Sequence, residues 1–241
     1  MTKNNIYEMA HSNNMLQLIP LKVLKNKEFE KVISSYNLDI NKFYQVEGKL
    51  HPYCYVGGTV YIEIYEISKQ SFEAFQIKKR IEQTTQAHKK CFEENDYSYL
   101  FILIDKPLRF EWYKKLFDKI PDDQKYEVFI DIYSSSEYGF RNLDRTLVEE
   151  IFKDHTTDKE LFDTDVIPIY RGEDSKSTPY KKAYSWTTNL ETAKWFANRF
   201  SKNGKIYKGQ VNVKDILDYL EGRSESEVLV FPENVFNVER M

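Results

Sequence analysis

At 241 residues with a hydrophobic fraction of 41%, the chain is long enough to bury the core of one large domain or two small ones without disulfide or metal staples. A formal net charge of -3 excludes an overall cationic field of the kind that drives non-specific nucleic-acid binding, and an aromatic share of 15% argues against disorder. No apolar run approaches the roughly 18 residues of a membrane span, residues 1–14 do not read as a secretory signal, and Cys54 and Cys91 share no metal-ligand spacing, so the expectation is a cytoplasmic protein with two free thiols and no membrane attachment.

Along the chain, apolar residues at Leu21, Leu24, Phe29, Val32 and Ile33 predict a helix over 21–36. Residues 59–67 alternate, with Val60, Ile62 and Ile64 on one side and Tyr61, Glu63 and Tyr65 on the other, which predicts a half-buried strand. A long helix is expected over 70–95, a strand over the apolar run 99–104 before Pro107, a helix over 110–119, a strand over 127–133 and a helix over 143–152. Strands alternating with helices suggest an α/β module up to about residue 160. Beyond it, 166–170 reads as a strand, and 190–200 as a helix capped by Asn189 that turns Ala193, Phe196 and Ala197 to a core. Residues 205–213 read as a strand, 213–219 as mostly helical, and 227–231 as the final strand, closed by Pro232. The expected domains are 1–160 and 161–241.

Three short motifs fall in order in the last third of the chain: a strand ending Tyr170-Arg171-Gly172, the segment Ser185-Trp186-Thr187-Thr188, and Glu225-Ser226-Glu227 entering Val228-Leu229-Val230. Each alone is common, and their order, spacing and the intervening helix through Ala193-Lys194-Trp195-Phe196-Ala197 carry the signal. Together they resemble the arginine-serine-glutamate class of ADP-ribosyltransferases, which includes bacterial toxins and bacteriophage enzymes. The resemblance implies an α+β protein: an N-terminal α/β module, then the ADP-ribosyltransferase fold, a split two-sheet β core with flanking helices and NAD+ between the sheets. It implies NAD+ as substrate, no metal, and transfer of ADP-ribose to protein arginine or to nucleic acid. An antitoxin protein would be a further partner if the chain is a toxin or phage-defence effector, and the N-terminal module is the expected place for target or partner recognition.

The residue types suit that chemistry on physical grounds. Arg171 offers a planar, permanently charged fork for phosphate oxygens or the nicotinamide ribose, and Gly172 would let backbone approach the ligand. Cleavage of the nicotinamide-ribose bond builds positive charge at the anomeric carbon, by analogy with glycoside cleavage, so a fixed carboxylate stabilises what exists only in the transition state. Glu227 is the expected carboxylate. The resemblance gives Ser185 the role of supporting it and the ribose, and Thr187 that of stiffening the strand. Glu225, two residues before Glu227, would share its face on a strand, where it could handle an arginine guanidinium, an exocyclic amine or a ribose hydroxyl of the acceptor. The residues expected to line the NAD+ site are Arg171, Gly172, Ser185, Trp186, Thr187, Phe196 and Glu227, with Glu225 added on the acceptor side.

Plainer readings compete. Arg171 could be a surface ion-pair residue, Ser185 and Thr187 part of an edge strand or a helix-start turn, and Arg223, Glu225 and Glu227 solvated charge. Trp186, Trp195 and Phe196 suit a core as well as a nicotinamide platform, and Tyr180, Tyr184 or Trp186 could stack on the ring. His11, His51, His88 and His155 are too scattered to suggest a metal site, and Gly57-Gly58 reads as a turn. Lys78, Lys79, Arg80, Lys89 and Lys90 read as a solvated helix face. Two other functions stay open: an NAD glycohydrolase that depletes NAD+, and a non-enzymatic binding module that retains the fold.

Overall fold

A computed structural model describes residues 7–11, 14–46, 50–136, 140, 143–155, 157–175, 177–199, 203–221 and 225–241, with the backbone alone at 7–11, 14–17 and 159. The structure is mixed α+β and divides into two units, Met1–Asp144 and Arg145–Met241.

In the first unit, β1 (Tyr7–His11) and β2 (Asn14–Pro20) form a hairpin, followed by α1 (Lys27–Ser35), β3 (Phe43–Val46), β4 (Tyr53–Gly57) and β5 (Val60–Ile64). The five strands lie side by side in chain order, each antiparallel to the next. The turn from β4 to β5 is tight because Gly58 takes φ +62, a conformation other residues resist. Helices α2 (Lys69–Ala74), α3 (Ile77–Glu94), α4 (Tyr97–Leu103), α5 (Arg109–Leu116) and α6 (Asp122–Ser135) complete the unit. One core cluster runs from Leu21 and Ile33 through Phe43, Tyr55 and Ile62 to Phe72, Ile77 and Ile81, joining sheet to helices.

Two expected strands are helices. Residues 99–104 lie in and just after α4, where the Asp96 carboxylate accepts the Tyr99 N–H at 2.9 Å. There Tyr97, Leu100, Phe101 and Ile104 are buried, a spacing that follows one face of a helix. Residues 127–133 lie in α6, where buried Val128, Phe129, Ile132 and Tyr133 make another helical stripe. The N-terminal region is therefore an antiparallel meander followed by helices, and the alternating α/β module expected from sequence is not formed. Two expected helices are also interrupted. Lys25 at φ 50 and the Asn26 cap separate a 3-10 turn, Leu21–Leu24, from α1, and Gln76 at φ 48 separates α2 from α3.

The second unit starts at α7 (Arg145–Ile151), so the division falls before residue 160. Arg145 belongs there physically: it pairs with Glu233 and its guanidinium lies 4.4 Å from the centre of the Phe231 ring. The strands are β6 (Val166–Glu173), β7 (Ser185–Thr187), β8 (Lys205–Asn212), β9 (Ile216–Leu220), β10 (Glu227–Val230) and β11 (Phe236–Arg240), with helix α8 (Leu190–Asn198) between β7 and β8. Residues 213–219, expected to be helical, form a 3-10 turn and then β9, which pairs with β10 and alternates buried Ile216 and Asp218 with half-buried Leu217 and Tyr219. The last strand is β11, and Phe200, the expected end of the helix capped by Asn189, lies outside the described residues.

The sheet order is β11-β8-β6-β7-β10-β9. Its two three-stranded halves are joined between β6 and β7 by a single residue pair, Tyr170 opposite Thr187, whereas β6 pairs with β8 along all of Val166 to Glu173. The split core expected from sequence is thus one sheet pinched at its centre. Ile167, Ile169, Trp186, Val211, Val228 and Val230 pack together across the pinch.

Candidate active site

The pinch brings three of the expected residues together. Arg171, next to the joining pair on β6, donates from Nη1 to the Ser185 carbonyl at 2.5 Å and from Nη2 to the Thr178 carbonyl at 2.7 Å. Its side chain is only 13% exposed, which removes the surface ion-pair reading. On β7, the Ser185 hydroxyl donates to the Glu227 carboxylate at the start of β10. The antiparallel register sets this up, with Glu227 opposite Thr187 and Leu229 opposite Ser185. Ser185 is the shared partner, through its carbonyl to the arginine and through its hydroxyl to the carboxylate.

Thr187 holds the approach to Glu227. Its buried hydroxyl donates to the Glu225 carbonyl at 2.7 Å and accepts the Asn189 N–H at 3.0 Å, while the Thr188 N–H donates to the Ser226 carbonyl at 3.0 Å. Asn189 then caps α8, accepting the Glu191 N–H at 2.8 Å and the Thr192 N–H at 3.3 Å, a cap of a kind that contributes about 1 kcal/mol. One short segment therefore fixes β7, the entry to β10 and the start of α8.

Three expected roles need correction. Glu225 lies before β10, and Ser226 between it and Glu227 takes the left-handed φ of 46; the two-residue alternation that would set both carboxylates on one face does not extend through such a residue. Gly172 is required by a helix: a methyl there would stand 2.0 Å from the Ala193 carbonyl oxygen and 2.5 Å from the Ala197 nitrogen. Trp186 is 2% exposed inside the core cluster of the second unit, so its ring is a packing element and offers no stacking platform. Phe196 is half-buried on α8 with its ring 4.9 Å from that of Trp195. Tyr180 lies against Tyr207 at 4.4 Å and Tyr184 against Phe231 at 6.0 Å.

Glu173 was not singled out by the sequence reading. It sits two residues after Arg171 on β6, its carboxylate accepts the Tyr180 N–H, and its oxygen lies 3.8 Å from Arg171 Nε. Burial raises its pKa, against the lowering influence of Arg171 and of the Tyr180 N–H. The period of two from Arg171 along a strand was the signal available for finding it.

Other candidates separate from this region. His88 is buried in the first unit with Nδ1 2.8 Å from the Thr59 hydroxyl, and among the described residues no group of three or more His, Cys, Asp or Glu side chains could hold a metal ion. Lys78, Lys89 and Lys90 pair along α3 with Glu82, Glu93 and Glu94, as a solvated face does. Burial pushes the Cys54 thiol up to about 12, which marks a packing residue. Among the described residues no helix is long and apolar enough to cross a membrane, and Arg223 and the side chain of His11 lie outside the described residues.

Chemically, the arrangement offers a carboxylate acceptor oriented by a hydroxyl, beside a guanidinium held at a fixed position. No family model matches the sequence, and comparison with curated proteins and with solved structures likewise gives no match.

Proposed function

We propose that the chain is an NAD-dependent mono-ADP-ribosyltransferase whose second unit has the ADP-ribosyltransferase fold. The observation that carries this reading is the convergence of Arg171 and Glu227 on Ser185, residues that sequence spacing alone leaves far apart. The pinched sheet supports it, since the motif residues gather where its two halves join. The donor set suits NAD+ as well: a carboxylate and a hydroxyl for ribose, and a guanidinium for ribose or phosphate oxygens.

In this reading Glu227, held by Ser185, stabilises the charge that develops on the ribose as the bond to nicotinamide breaks. The bonding pair leaves with nicotinamide. The acceptor atom then bonds to the same carbon and releases its proton to solvent. Arg171 fixes the segment that leads into β7 through the Thr178 and Ser185 carbonyls. The acceptor is a macromolecule, protein arginine or nucleic acid, and the setting we propose is a bacterial or bacteriophage effector restrained, if it is a toxin, by an antitoxin protein.

The test is incubation of the full chain with labelled NAD+ and a cell lysate, beside Glu227→Gln. Label lost to protease identifies a protein acceptor and label lost to nuclease a nucleic acid. Free ADP-ribose without labelled macromolecule makes the chain a glycohydrolase. Absence of nicotinamide release from wild type and variant alike would refute the enzymatic reading.

A further inference from the structure

A cleft of about 460 Å³ opens in the second unit, and neither Arg171, Ser185 nor Glu227 lines it. Its wall of Tyr180, Val235 and Val238 packs against the core cluster around Trp186. Ser185 and Glu227 alternate along their strands with Trp186 and Val228, members of that cluster, so their side chains point to the opposite face of the sheet. The cleft thus lies across the sheet from Ser185 and Glu227, on the face to which Arg171 turns in step with Ile167 and Ile169.

Its composition is divided. Lys181 and Lys182 stand exposed at adjacent positions, and neither forms an ion pair with a described residue. Arg145 is committed elsewhere: Glu149 and Glu233 take its charge, and its plane lies over Phe231. The cleft therefore presents two cations against no unmatched carboxylate of its own lining, in a chain of net charge -3. Around the cations stand the rings of Tyr180, Tyr184 and Phe231.

We propose that this cleft binds a nucleoside phosphate. A flat base suits the tyrosine rings, since bases stack on aromatic side chains. The phosphate suits the Lys181–Lys182 pair. The volume falls in the range of sites that bury a small ligand, roughly 300 to 1,000 Å³. A carboxylate-rich peptide would meet the lysines but gains nothing from the rings, so the aromatic wall decides for a nucleotide. The same chemistry is offered by a free mononucleotide and by an end of single-stranded nucleic acid, and the proposal does not depend on the transferase reading.

The experiment titrates the full chain with AMP, with a 5'-phosphorylated single-stranded RNA 12-mer and with ribose 5-phosphate, following AMP by calorimetry and the 12-mer by fluorescence anisotropy. Saturable binding of AMP is expected, weakened at least about tenfold by Lys181→Glu with Lys182→Glu and severalfold by Tyr184→Ala, with far weaker binding of ribose 5-phosphate. Circular dichroism melts of each variant, coinciding with wild type, establish that the loss is local. If the 12-mer competes with AMP, the occupant is an end of nucleic acid; if it does not, the occupant is a free nucleotide, and either result supports the site. Absence of saturable AMP binding, affinity unchanged in the lysine double variant, or ribose 5-phosphate binding as tightly as AMP overturns it. Nicotinamide release that persists in the lysine double variant separates failure of this site from failure of the transferase reading.

Discussion

Arg171 and Glu173 grip the same loop from one strand: the arginine takes the Thr178 carbonyl and the glutamate takes the Tyr180 N–H. The arginine also takes the Ser185 carbonyl, so the segment between β6 and β7 is held at its middle and at its far end by side chains two residues apart.

A lysine at 171 would keep the charge but lose the fork that reaches two carbonyls at once. Arg171→Lys should lose about 1.5 to 3 kcal/mol of stability, the range for hydrogen bonds to a charged group, and Arg171→Ala should lose more. Urea unfolding measures both, and a lysine variant as stable as wild type would show that one carbonyl contact suffices.

Because burial raises the Glu173 pKa above its ordinary 4.5, the folded state keeps that proton in a pH range where the unfolded chain has released it. The contribution of Glu173 to stability therefore falls as pH rises from 4.5 through the folded value. Glu173→Gln, which still accepts the Tyr180 N–H, should gain on wild type between pH 4.5 and pH 7 in urea titrations. A difference that moves the other way would mean that attraction to Arg171 outweighs burial.

His88 works with the opposite sign. Burial lowers its pKa from 6.5, with the Leu103 backbone opposing the shift, so below 6.5 the unfolded chain takes up a proton that the folded chain refuses. Stability from this residue is present above 6.5 and is lost as pH falls through the folded value. Thermal melts at pH 5 and pH 7.5 should differ less for His88→Gln than for wild type.

Gly172 and Gly204 both face α8, and a methyl at Gly204 would lie 1.7 Å from the Ala197 carbonyl oxygen. Either Gly→Ala change forces the helix off the sheet and should cost at least about 1 to 3 kcal/mol. Gly58→Ala meets nothing within 4 Å and is resisted only by its φ of +62, for a smaller cost of about 1 kcal/mol. The ranking, read from denaturation midpoints, checks whether helix approach is what these glycines serve.

Under the proposed function, Glu227→Gln should lower nicotinamide release at least about a hundredfold, as removal of a group aimed at developing charge does. Ser185→Ala should lower it less, because the carbonyl that meets Arg171 remains. Release is read by chromatography, and equal effects of the two changes would make the serine more than a support.

The sequence made β5, α8, β8 and β10 legible, because alternation, the Asn189 cap and short apolar runs point the same way there. It misled at 99–104 and 127–133, where a short apolar run fits a buried strand and a buried helix equally well until its neighbours are included. Asp96 and the acidic pair Asp122-Asp123 are helix-start signals, and they decide both cases. At the candidate site, the spacing of Arg171, Ser185 and Glu227 was visible, while Glu173, the structural duty of Gly172 and the break at Ser226 depend on which atoms meet across strands.

The single pair between Tyr170 and Thr187 makes the sheet a joint as much as a surface. A continuous ladder resists bending because many backbone bonds must lengthen together, whereas here one backbone pair joins the halves and the shared core around Trp186 and Ile169 carries the rest. Arg171 acts as a tie rod beside that link, bonding the Ser185 carbonyl across the joint. The union of the two halves thus rests on side chains as much as on the backbone ladder.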